Sequence, residues 1–198
     1  MNMHRQILAV TVAVAMGGGL AIAAQQMTSG KILLVKNPKA EDATKRKIKY
    51  KVKETESTAT IVGDPTANGA TLAIKLDSNT DCYDLPASGW STIGTQGFKY
   101  KDPRGANGPV KIAQIKKTKS GVFQIKAKVM GKNGLISVVP LNPSVQGHTN
   151  LSLGGGDEYC ATFGGTILSN TDKAFKAKNA DAGIACGVAC SPSGAFLD

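Results

Sequence analysis

The sequence predicts an all-β protein: an antiparallel β-sandwich of jelly-roll-like form, with a partly closed barrel as the alternative. Three observations point there. Apolar and polar residues alternate with period two almost everywhere after Lys31. No later segment carries an apolar stripe at helical spacing. About ten strand-sized runs each end in Gly, Pro, Asn or Asp turn chemistry.

Taken in order, KILLVK (Lys31 to Lys36) is a short apolar run, and KRKIKYKVKE follows from Lys45 to Glu54. In that decapeptide Ile48, Tyr50 and Val52 alternate with Lys47, Lys49, Lys51 and Lys53, so the four lysines share one face of a half-buried strand. Lys45 and Arg46 belong to the turn that enters it. TLAIKL (Thr71 to Leu76) follows the turn residues Gly63-Asp64-Pro65 and Asn68-Gly69. GFKYKD sets Phe98 and Tyr100 against Lys99 and Lys101, and the loop from Asp102 to Pro109 closes it. VKIAQIKK (Val110 to Lys117), VFQIKAKV (Val122 to Val129) and LISVV (Leu135 to Val139) read as a three-stranded meander. The second of its joints is Lys132-Asn133-Gly134, because Asn-Gly tolerates positive φ. Phe123, Ile125, Ala127 and Val129 should face in, and Gln124, Lys126 and Lys128 out. NLSL, DEYCATF and AFKAKNA supply the late strands.

The opening MNMHRQ followed by an apolar run from Ile7 to Ala24 reads as an export signal, with Ala21-Ile22-Ala23 as the cleavage pattern. The expected organisation is therefore a signal peptide over 1–23, a short linker over 24–30, one β-sandwich domain over 31–190 and a tail over 191–198. No second apolar span follows, so no membrane span is expected after cleavage. Beyond the signal stand Cys82, Cys160, Cys186 and Cys190. An even count in an exported chain favours two disulfides, and four cysteines allow three connectivities. The tight spacing of Cys186 and Cys190 argues against their joining each other. Of the two pairings left, Cys160 with Cys186 and Cys82 with Cys190 is preferred.

No constellation demands catalysis. His148 is the one histidine beyond the signal, in a Gln-Gly-His-Thr turn, and no G-x-S-x-G elbow surrounds a serine. Asp157 and Glu158 are adjacent, which in a strand sends them to opposite faces. Asp77-x-Asn79-x-Asp81 resembles the opening of a calcium loop, yet the sixth position is Cys82 and the twelfth Ser88, where Gly and Glu are wanted. These three form a weak Ca²⁺ candidate, which a strand turn explains equally well. Gly154 to Gly156 reads as a bulge or tight bend, and Trp90 as core, not a sugar platform. Neither a catalytic residue nor a cofactor is called for.

The formal net charge of +10 is carried by lysine, with Arg5, Arg46 and Arg104 the only arginines. Lysine is a strongly hydrated point charge without the bidentate fork of arginine, so specific nucleic-acid readout is not expected. A face built from Lys47, Lys49, Lys51, Lys53, Lys99, Lys101, Lys126 and Lys128 would suit an anionic polysaccharide or cell-surface polymer. The competing account is that outward strand positions must be polar and that lysine discourages edge-to-edge aggregation.

The ordered set GKILLVKNP (from Gly30), KRKIKYKVKE, LPASGW (from Leu85), GFKYKD, NGPVKIAQIKK (from Asn107), EYCATFGG (from Glu158) and FKAKNA (from Phe175) resembles a group of secreted bacterial proteins of unknown function. The likeness runs from Gly30 to Cys190 and brings no catalytic residue, cofactor or ligand. It implies that Cys160 pairs with Cys186 or Cys190. Such proteins also carry cysteines in the strands matching Val110 to Val129, where this chain has none, so the resemblance leaves the partner of Cys82 open. The expected function is an exported, non-enzymatic structural or adhesion-type β domain. The alternatives are a secreted hydrolase using His148 or the acidic turn from Asp77 to Asp84, and a subunit of an extracellular assembly.

Overall fold

Alternation sets the strands, and where their apolar sides meet sets the fold. The computed structural model describes residues 23–178 and 186–190; most of the expected signal peptide and the whole tail over 191–198 lie outside the described residues. Among the described residues twelve strands form: β1 (Gln25–Lys36), β2 (Lys47–Glu54), β3 (Ala70–Leu76), β4 (Asn79–Leu85), β5 (Trp90–Thr92), β6 (Gly97–Lys101), β7 (Val110–Lys117), β8 (Phe123–Met130), β9 (Gly147–Leu153), β10 (Glu158–Phe163), β11 (Thr166–Thr171) and β12 (Ala174–Lys178). They join in the order β4-β3-β9-β10-β1-β2-β8-β7-β6-β5, with β12 on β1 and β11 on β12. The sheet is nearly closed into a barrel, so the all-β class stands in its barrel alternative.

Strand β1 is the hinge of the fold. Its first half pairs in parallel with β10, from Gln25 opposite Glu158 to Ser29 opposite Thr162. Its second half lies between β2 and β12, antiparallel to both. The register slips between Gly30 and Ile32. A Cβ at Gly30 would sit 2.6 Å from the Thr162 carbonyl oxygen and 2.7 Å from the Phe163 ring, so only glycine lets the strand cross there. Two expectations are corrected at this point. Residues 25–30 are strand, not linker: polar Gln25, Gln26, Thr28 and Ser29 hide the pattern, although Thr28 is fully buried. The sheet is also not wholly antiparallel, because β1 has to serve both halves.

The inward positions fuse the two halves into one core. Leu33, Val35, Ile48, Tyr50, Val52, Phe123, Ile125 and Val129 come from one side, and Leu72, Ile74, Leu151, Tyr159 and Phe163 from the other. Tyr50 meets Phe163 edge-on at 6.4 Å between ring centroids, and Phe123 lies 5.8 Å from Tyr159. Such pairs add about 1 kcal/mol each beyond their burial.

The expected meander is half right. β7 and β8 pair as foreseen, but β8 continues to β2 and the third strand on β7 is β6. Asn133 ends a short 3-10 turn (Gly131–Asn133), and Leu135 to Val139 form no strand. Ile136 and Val138 are nonetheless buried, held by the Asp81 carboxylate, which accepts from Ser137 N at 3.0 Å and Val138 N at 2.9 Å. A buried carboxylate, not a ladder, satisfies this backbone.

Candidate functional site

Inward burial of Ile48, Tyr50 and Val52 on β2, of Phe123, Ile125, Ala127 and Val129 on β8, and of Tyr100 on β6 turns the intervening lysines outward. Register then gathers them. One row across six strands reads Lys101, Ile112, Lys128, Lys49, Leu34, Lys176. The next row reads Lys99, Gln114, Lys126, Lys51, Ile32, Lys178. Each holds four lysines in the pattern Lys-x-Lys-Lys-x-Lys. At ordinary strand spacing each row spans about 24 Å, and the two lie about 7 Å apart.

No aspartate or glutamate occupies either row, and Lys49 and Lys51 stand directly opposite Lys128 and Lys126. Like charges directly opposed destabilise a sheet. Burial and neighbouring lysines both act on the amines. Lys126 is held below the usual lysine range by partial burial and then by Lys99, Lys116 and Lys51. Lys128 and Lys47 are lowered in the same way, burial first and neighbouring lysines after. Between Lys49, Lys51, Lys126 and Lys128 lies a shallow depression of about 340 Å³ flanked by Ile32 and Ile112. Of the eight lysines expected from sequence, six sit in the two rows, while Lys47 and Lys53 extend β2 beyond them, opposite Met130 and Gln124. The rows add Lys176 and Lys178, which the Phe-Lys-Ala-Lys alternation of β12 could have revealed.

On the outer face of the other half one register row lies under a covering segment. Cys82, Ala73, Asn150 and Cys160 occupy one register row across β4, β3, β9 and β10. Disulfides join Cys160 to Cys186 and Cys82 to Cys190, with Cα–Cα distances of 5.3 and 5.8 Å. Three strand spacings make about 14 Å, and four extended residue steps reach about 14 Å. The spacing of Cys186 and Cys190 is thus that of a strap laid across four strands. Asn150 Nδ2 donates to the Val188 carbonyl at its midpoint, 3.2 Å away. Beneath the strap, Ala73 and Cys160 are 1% exposed although they point outward.

The remaining candidates stay apart. His148 Nδ1 lies 3.2 Å from Thr162 Oγ1, and a Cβ on Gly187 would collide with its ring; burial and then Lys75 push its pKa down. Asp77 accepts from Val145 N and Gln146 N, and Asp81 from Ser137, Val138 and the Tyr83 hydroxyl. Of the three residues of the Ca²⁺ candidate, Asp77 directs Oδ1 to the loop before β9 and leaves Oδ2 buried without a partner, Asp81 spends both oxygens on Ser137, Val138 and Tyr83, and Asn79 opens β4 between them. Asp157 takes the Ala24 amide and Gln26, while Glu158 takes Gln25 and Asn150, so the adjacent acids serve opposite faces. Glu158, Cys160 and Cys186 cluster, but both sulfurs are committed to their disulfide. Trp90 is buried, donates to the Leu85 carbonyl at 3.1 Å and packs on Tyr100. Gly154 and Gly156 sit where a Cβ would strike the backbone of Asn68 and Val62, the close bend expected of the triple glycine. Among the described residues, no helix is long and apolar enough to cross a membrane. In comparisons with known proteins the chain matches no family model, no curated protein and no solved structure.

Proposed function

We propose that the protein is an exported, non-enzymatic structural or adhesion-type β domain whose lysine face contacts an anionic polymer. One observation carries the reading: Lys49, Lys51, Lys126 and Lys128 are opposed pairwise on β2 and β8, which are interior strands. Edge protection does not account for lysine on an interior strand. Solubility does not account for opposed pairs, since glutamine or threonine would serve without repulsion. A polyanion that neutralises them offsets the repulsion and releases its own counterions. The two disulfides and the resemblance to secreted bacterial proteins support export.

The test is retention on immobilised heparin against salt. Retention should fall steeply with ionic strength, and Lys49→Glu, Lys51→Glu, Lys126→Glu and Lys128→Glu together should abolish it. The same change at the turn lysines Lys39, Lys45, Lys119 and Lys173 should cost far less. Equal losses in the two sets would reject the face.

A second reading, a subunit of an extracellular assembly, has one observation in its favour. Edge strand β11 pairs only with β12 among the described residues, carries no charge in TILSNT, and exposes Ile167 and Leu168. Edges of this kind accept a further strand. A protein that stays monomeric by light scattering up to high concentration would remove it.

A further inference from the structure

The rows specify the shape of the ligand. We infer that the lysine face takes a linear anionic polysaccharide lying across the strands, along the rows, in contact with six strands at once. This rests on the reading of the face given above and goes beyond it in naming orientation, length and chemical class.

Orientation follows from the register. Along the strands the lysine columns of β6, of β8 with β2, and of β12 are separated by β7 and β1, which place Ile112, Gln114, Leu34 and Ile32 at the row positions. A chain lying parallel to the strands over β2 and β8 would meet Lys47, Lys49, Lys51, Lys53, Lys126 and Lys128 and leave the amines of β6 and β12 without a partner. A chain crossing them meets four amines per row over about 24 Å.

Curvature favours a flexible polymer over a bilayer. The sheet nearly closes on itself, so its outer side is convex across the strands. A planar surface touches such a face along a few strands, whereas a linear chain can wrap it and reach β6 and β12 together. Residue type then favours a glycan over single-stranded nucleic acid. Sequence-tolerant binding of nucleic acid relies on aromatic platforms for the bases. The row positions hold Lys, Ile, Leu and Gln, while Tyr50 and Tyr100 point into the core. The aliphatic side chains between the amines suit the C–H faces of sugar rings.

A length series of heparin oligosaccharides, titrated by fluorescence anisotropy at fixed salt, tests this. Affinity should rise at least tenfold with fragment length and level off once a fragment spans about 24 Å. Lys99→Gln with Lys101→Gln, and separately Lys176→Gln with Lys178→Gln, should weaken long fragments several-fold and leave the shortest unchanged. Lys126→Gln with Lys128→Gln should weaken all lengths. These lysines are surface groups, so circular dichroism should show each variant folded. Binding without length dependence, or row-end variants that weaken every length alike, would overturn the inference and leave the anionic face standing. Absence of binding to any fragment would overturn both. Oligothymidylate of matched length binding more tightly than the oligosaccharide would overturn the chemical class.

Discussion

The two outer faces of this sheet solve one problem differently. Both halves are built from period-two strands, whose outward residues need water, cover or a partner. On the β4-β3-β9-β10 side the outward row of Cys82, Ala73, Asn150 and Cys160 lies under a strap fixed by a disulfide at each end. On the β6-β7-β8-β2-β1-β12 side the outward rows hold eight lysines. The covered row is tied down by chain, and the open face keeps repulsion the fold does not need. The strap therefore reads as architecture, and the lysine face carries the proposed function.

Cutting the strap should produce the largest effect. The bridges span sequence separations of 108 and 26. Constraint of the unfolded chain predicts losses of about 5 kcal/mol for the longer and about 3.5 kcal/mol for the shorter. Urea denaturation of Cys82→Ser with Cys190→Ser, and of Cys160→Ser with Cys186→Ser, measures these, and heparin retention should persist wherever the variant is folded. Deletion of Val188 sharpens the point. Three residue steps reach only about 10 Å, so one bridge should fail and free thiol should appear.

Next comes the carboxylate that ties the strapped half to the loop after β8. Asp81→Ala leaves the amides of Ser137 and Val138 without their acceptor. A loss of about 3 kcal/mol is expected in the same denaturation experiment. A loss near zero would mean that water replaces the carboxylate, and with it that this loop is loosely held.

On the open face the sign should reverse. Lys126→Gln removes an amine crowded by Lys99, Lys116 and Lys51, so stability should hold or rise by up to about 0.5 kcal/mol. Because partial burial and then neighbouring lysines hold Lys126, Lys128 and Lys47 below the usual lysine value of 10.5, they shed protons before isolated lysines do as pH rises. Polymer affinity should accordingly begin to fall before that value is reached. The smallest effect belongs to His148. Its folded pKa is depressed below 6.5, so the unfolded chain binds the extra proton. Its contribution is complete above 6.5 and is lost as pH falls through the folded value, a shallow acid slope that His148→Gln should flatten.

Much of this contrast could be read in advance, and the misses share a cause. The period-two pattern of Ile48, Tyr50 and Val52 announced β2 because lysine and aliphatic residues differ so sharply. Gln25 to Ser29 gave no such contrast, and their pairing as a strand depends on β10, more than a hundred residues away. Asn133-Gly134 matched a hairpin joint locally, but Asp81 offered the following segment a buried acceptor and no strand formed. The lysines were legible one strand at a time. That Lys49 faces Lys128 and that Lys176 shares their row follow from strand order, which alternation does not encode. The strap was half visible: spacing argued against a bond between Cys186 and Cys190, and only the register row beneath shows what the spacing is for.

The most direct test is lysine footprinting by brief acetylation, with and without saturating heparin, read residue by residue by mass spectrometry. Protection should concentrate at Lys49, Lys51, Lys126 and Lys128, extend to Lys99, Lys101, Lys176 and Lys178, and spare Lys39, Lys119 and Lys173. Uniform protection of all these lysines, or protection of the turn lysines alone, would contradict the assignment of function to this face.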